Sequence, residues 1–63
     1  MGRILCIDYG RKRSGVAVTD PMKIVASAIG TMRSHDLLAF ITDYVGRETV
    51  DAIVVGQPTQ LNG

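Results

Sequence analysis

Sixty-three residues suffice for at most one small domain, and a chain of this size buries only about 60% of the surface that its unfolded form exposes. A single cysteine excludes an internal disulfide, and Cys6 and His35, each standing alone, exclude a Cys/His zinc cluster. With 46% hydrophobic and 21% charged residues the chain is globular, and its net charge of +1 implies no strong overall attraction to nucleic acid or membrane. A chain rich in core residues but lacking staples suits a piece of a larger domain. No apolar run approaches membrane-spanning length and no signal-peptide core opens the sequence. The lone cysteine fits a reducing compartment, so no membrane partner and a cytoplasmic location are expected.

The first element is a strand over residues 4–7, where Ile4, Leu5, Cys6 and Ile7 form the continuous apolar run of a strand buried on both faces. It ends at Asp8-Tyr9-Gly10, and the turn runs through Arg11-Lys12-Arg13 to Ser14-Gly15. A second strand over 16–19 follows so soon that the pair must be an antiparallel hairpin. Asp20-Pro21 reads as a turn. Residues 24–31 are small and β-branched and predict a third strand, with Gly30 at a bulge or close approach. Ser34 is the expected helix N-cap, with Asp36 in the first turn. Apolar residues at 37, 40, 41, 44 and 45 give the stripe of an amphipathic helix that frays at Gly46, with a weak last turn able to reach Glu48. A second central strand over 52–55 then lies parallel to a neighbour, through a right-handed crossover. Residues 56–63 read as loop. The order is βββαβ, with one helix to cover a mixed sheet. A sheet with nothing for its second face predicts truncation, marginal stability alone, and self-association or ordering by a partner.

Asp8 stands at the carboxyl end of a buried strand, the usual place for ligand chemistry in open sheets. A carboxylate there can bind a hard cation such as Mg²⁺; it can also simply cap a turn. Gly10 and Gly15 allow a substrate or phosphate to approach the hairpin backbone closely beside it. Arg11, Lys12 and Arg13 can hold a nucleic-acid backbone next to a metal, or form a solvated hairpin tip. His35 reads as an exposed helix-start residue and Cys6 as a small core residue. Met22 and Met32 read as packing, and Asp20, Asp43 and Asp51 as turn or solvent-face residues.

The stretch Ile7-Asp8-Tyr9-Gly10-Arg11-Lys12-Arg13-Ser14-Gly15-Val16-Ala17-Val18-Thr19-Asp20-Pro21 resembles the opening motif of the YqgF/RuvX family. That family comprises Holliday junction resolvase-like proteins, usually described as pre-16S rRNA nucleases. Val54-Val55-Gly56-Gln57-Pro58, followed by Asn62-Gly63, resembles its second motif. The resemblance covers essentially the whole chain and marks it as the amino-terminal portion of a longer domain. It implies a ribonuclease H-like fold, phosphodiester hydrolysis in RNA or branched DNA with Mg²⁺ or Mn²⁺, and a part in ribosome biogenesis.

Asp8 matches the family's first-strand metal ligand. The remaining family carboxylates, including the Glu of a D-E-R motif, have no counterpart here. Gly10, Arg11, Lys12, Arg13 and Gly15 are the expected substrate-binding residues. Arg11 stands where the family often has Thr. Two metal ions held by several carboxylates can stabilise both attacking and leaving oxygens. One Asp cannot hold such a pair, so the chain alone is expected to be inactive. Two other readings fit the pattern: an ATP-binding domain of the actin and sugar-kinase class, which shares the fold and the strand–D-x-G–strand hairpin, and a non-catalytic RNA-binding module.

Overall fold

The computed structural model describes residues 1–56; Gln57, Pro58, Asn62 and Gly63 of the second motif, and the loop expected there, lie outside the described residues. The elements run β1 (Arg3–Asp8), β2 (Arg13–Thr19), β3 (Ala26–Arg33), a single 3-10 turn (Ser34–Asp36), α1 (Leu37–Arg47) and β4 (Val50–Gly56). The sheet order is β3-β2-β1-β4, with β1–β2 and β2–β3 antiparallel and β1–β4 parallel. This is the βββαβ portion of a ribonuclease H-like α/β fold, a mixed sheet with one covering helix.

Side chains alternate across a strand, and that alternation divides this sheet sharply. Leu5 and Ile7 of β1 and Ser14 and Val16 of β2 are buried beneath α1, which contributes buried Leu37 and Tyr44. Phe40 and Ile41 of the predicted stripe pack against this core, whereas Val45 is exposed. The other face, carrying Ile4, Cys6 and Asp8 of β1, has no cover among the described residues. Among the described residues one helix buries one face of β1, as the expected single helix requires, and the second face of its apolar run stays open. Cys6 is half-buried on the open face and is not a core residue.

Two further expectations are corrected. The third strand begins at Ala26, not at residue 24, because the Asp20 carboxylate competes for the preceding backbone. It accepts N–H bonds from Met22 (3.1 Å), Ile24 (2.9 Å) and Val25 (2.7 Å). Lys23 takes a positive φ of 61° inside that turn, leaving Ile24 and Val25 exposed. The fourth strand is an edge strand among the described residues. Helix α1 packs over β1 and β2, so Ile53 and Val55 stay exposed although they share a face with Leu5 and Ile7. The helix ends at Arg47, within the expected weak last turn, and Arg47 pairs with Asp43 one turn back at 2.9 Å. Gly30 sits in β3 at φ 153°, where β2–β3 register slips between Val16 and Ala17, and this is the predicted bulge.

Asp51 is exposed, as expected of a turn or solvent-face residue, and it also ties three segments together. Its carboxylate accepts from the Gly2 N–H at 3.0 Å and from Lys23 Nζ at 2.8 Å. The Lys23 bond, then the Gly2 N–H, holds the Asp51 carboxyl below its ordinary value. The Val25 N–H, with those of Ile24 and Met22, does the same for Asp20. Carboxyls lowered on folding stabilise the fold above their ordinary pKa, and that contribution disappears as pH falls through the lowered values. Acid titration followed by NMR should show the 20–25 turn and the Gly2 amide loosening together below the ordinary carboxylate range. Titration of both carboxyls at unperturbed values would contradict these assignments.

Candidate functional site

Asp8 is the last residue of β1 and is exposed on the open face. Its cross-strand neighbours are glycines on both sides, Gly15 on β2 and Gly56 on β4. A Cβ at Gly15 would meet only Asp8 Cβ, at 3.7 Å, and one at Gly56 would meet nothing within 4 Å. Among the described residues, the carboxylate therefore stands on a bare strip of backbone that no side chain screens. The rows below are nearly as small: Cys6 lies between Ala17 and Val54, and Ala17 in turn faces Ala28. Together these residues floor an open, mainly apolar concavity of about 490 Å³, with Asp8 at its polar end. No ion pair or side-chain hydrogen bond among the described residues engages the Asp8 carboxylate, whereas Asp20, Asp43 and Asp51 are all occupied.

Gly10 has a different task from Gly15. A Cβ there would lie 2.2 Å from the Arg13 carbonyl oxygen, so the hairpin closes only over a glycine. The room at Gly10 is filled by the chain itself, while the room at Gly15 is open to a ligand.

The hairpin is fixed by two serines. Ser34 was the expected helix cap, but α1 has no side-chain cap bond and starts after Asp36. The Ser34 hydroxyl donates instead to the Gly10 carbonyl, and it lies 2.6 Å from Ser14 Oγ. A hydroxyl carries one proton, so Ser14 must donate to Ser34. Ser14 in turn accepts from the Gly10 N–H at 3.4 Å. The ring of donors closes on Gly10, and the Ser34 N–H adds a bond to the Lys12 carbonyl at 2.8 Å. Ser14, at 1% exposure, is a buried polar residue with its bonding complete. The sequence pattern hid this because Ser34 also suits a helix start.

Arg11, Lys12 and Arg13 are exposed at the hairpin tip, where they line a second concavity of about 410 Å³. Arg33 and His35, which composition and periodicity did not single out for function, line it too. Met22 is exposed and Met32 packs against the core.

The described residues hold no group of three His, Cys, Asp or Glu side chains suited to a metal ion. Asp8 is still a suitable donor for one place in a shared site. Mg²⁺ is usually held by one or two carboxylates, water and substrate phosphate, and demands oxygen. An unengaged, exposed carboxylate flanked by bare backbone meets that requirement. No described helix is long and apolar enough to cross a membrane.

This arrangement can be set beside known proteins. The chain is 52% identical over 63 residues to a protein of Flavobacterium johnsoniae, covering 100% of this chain and 46% of that protein. It is 56% identical over 62 residues to one of Porphyromonas gingivalis (98% and 45%) and 53% identical over 62 residues to one of Bacteroides fragilis (98% and 45%). Each bears the name "Putative pre-16S rRNA nuclease". The chain thus spans just under half the length of these curated relatives. No solved structure matches it significantly. The family model described as "RuvX: Holliday junction resolvase" matches residues 2–63. With the strand–D-x-G–strand hairpin and the ribonuclease H-like sheet in place, the chain belongs to the RuvX Holliday junction resolvase family.

Proposed function

We propose that this chain supplies the first-strand carboxylate and the phosphate-gripping hairpin of a metal-dependent nuclease that acts on structured RNA, with the 5′ end of pre-16S rRNA as its substrate. The observation that carries the reading is the isolation of Asp8: exposed, unpaired among the described residues, and flanked in register by Gly15 and Gly56. Family membership and the names of the relatives support a nuclease over an ATP-binding domain.

In this reading Asp8 holds a position for Mg²⁺ or Mn²⁺ with one oxygen or both. Bound divalent metal would stabilise charge on the oxygens of the phosphate undergoing displacement. The chain's own residues do the rest of the work assigned here. Gly15 and Gly56 let a sugar–phosphate backbone come close to Asp8. Arg11, Lys12 and Arg13 neutralise phosphates beside the scissile one, and the Ser14–Ser34–Gly10 ring keeps the hairpin from swinging away. The further carboxylates that such a site needs do not come from the described residues, so residues 1–63 alone bind weakly and do not cleave.

The test is cleavage of a pre-16S rRNA transcript by the full-length protein, with and without chelation of divalent metal, beside the 63-residue chain. Cleavage by the full-length protein that chelation stops, with none from the short chain, is the expected result. RNA binding without cleavage at any metal concentration would favour the non-catalytic module instead. Metal-dependent cleavage by the 63 residues alone would refute the shared-site reading.

A further inference from the structure

Three of the seven Lys and Arg side chains are ion-paired: Arg3 with Glu48, Lys23 with Asp51 and Arg47 with Asp43. The four without an acidic partner among the described residues are Arg11, Lys12, Arg13 and Arg33, and all four line one concavity together with His35. No carboxylate lines it. Arg13 and Arg33 are directly opposed in the β2–β3 register, and like charges facing each other across a sheet are destabilising. A fold that pairs its other cations leaves this repulsion uncompensated.

The pair also lies on the side of the sheet that carries Asp8. Asp8, Gly15 and Thr31 form one cross-strand row, and Arg13 and Arg33 form the row two residues further along β2 and β3. The rows are about 6.8 Å apart along the strands and neighbouring strands about 4.8 Å apart, so the Arg13 and Arg33 backbones stand roughly 8 and 12 Å from that of Asp8, one to two steps between successive phosphates of a nucleic-acid strand. The cradle is held in shape before any ligand arrives. Ser34 follows Arg33 directly and binds the hairpin through the Gly10 and Lys12 carbonyls, so β3's exit and the hairpin tip move as one piece.

We propose that Arg33, contributed by the end of β3, completes a seat with Arg11, Lys12 and Arg13 for a backbone phosphate next to the one at Asp8, with His35 at its border. This rests on the nuclease reading and extends it to a residue outside the hairpin. Arg33 grips; it takes no part in the chemistry. Its repulsion with Arg13 is relieved when a phosphate lies between the two guanidinium groups, each of which can make paired N–H bonds to phosphate oxygens.

The test uses the full-length protein and a labelled RNA hairpin, with affinity measured across a salt series for wild type, R33Q, R33K and the R11Q/K12Q/R13Q triple variant. R33Q should weaken binding for all RNA sequences tried and make the log–log salt dependence shallower by about one unit. R33K, which keeps the charge, should restore the slope. The Tm of free R33Q should be unchanged or raised, since a like-charge pair has gone. A slope unaltered by R33Q overturns the assignment. If the triple variant still flattens the slope, only Arg33's part fails; if it does not, the hairpin's nucleic-acid reading fails as well. A lowered Tm for free R33Q would make Arg33 a structural residue and also overturn the proposal.

Discussion

Asp8→Asn in the full-length protein should slow RNA cleavage by at least about 10³-fold, the scale of loss when a group acting in the transition state is removed, while RNA affinity and fold stay near wild type. The substitution keeps the shape of the side chain and removes its charge. A neutral amide is a poor substitute for a carboxylate towards a hard divalent cation. Stability should hardly change, because the carboxylate is exposed and unengaged within the described residues, and its cross-strand neighbours are glycines, which have no side chain to pack against it. Single-turnover rates, hairpin-RNA affinity and Tm measured on the same preparations separate these effects. A variant that cleaves at the wild-type rate would remove Asp8 from the site. A variant that loses rate and Tm together would make it structural.

The largest effect on folding is expected at Leu5, which is fully buried at the centre of β1, between β2 and β4 and under α1. Leu→Ala at such a position costs about 2–5 kcal/mol. A domain's total stability is roughly 0.05–0.15 kcal/mol per residue, so on the order of 3–9 kcal/mol over a chain this short. Leu5→Ala should therefore remove from about a quarter to all of the stability, and among the described residues the buried core has four other apolar members, Ile7, Val16, Leu37 and Tyr44, to share the loss. Ile53 is the internal control: it pairs with Leu5 in register, yet is 44% exposed. Urea unfolding should give a much lower midpoint for Leu5→Ala and a small shift for Ile53→Ala. Equal shifts at the two positions would mean that α1 does not cover the sheet as described.

The element order and the hairpin were legible in the sequence because each rests on local signals. The 4–7 and 52–55 apolar runs, the Asp8-x-Gly10 turn and the 37/40/41/44 stripe each specify a conformation by themselves. What misled were residues whose partners are distant in sequence. Ser34 carries a helix-start signal, but Ser14 and Gly10, twenty or more residues away, claim its hydroxyl. The 24–25 pair looks like strand until the Asp20 carboxylate takes its amides. An apolar run also cannot say whether cover exists, so residues 52–55 read as central when β4 forms an edge among the described residues. At the candidate site, Asp8 and the triplet are contiguous with a motif, so the sequence by itself singles them out as candidates. Arg33 was invisible because only the β2–β3 register brings it opposite Arg13. The significance of Gly56 likewise depends on β4 pairing with β1.

The most direct test of the central claim, that Asp8 seats a divalent cation on the open face, is a Mn²⁺ titration of the ¹⁵N-labelled full-length protein followed by NMR. Paramagnetic broadening falls off steeply with distance and reads metal position without relying on activity. Amides of Asp8, Tyr9, Gly15 and Gly56 should broaden first, those of α1 on the opposite face should persist, and Asp8→Asn should abolish the selective loss. Broadening centred elsewhere, or the same pattern in the Asn variant, would contradict the claim.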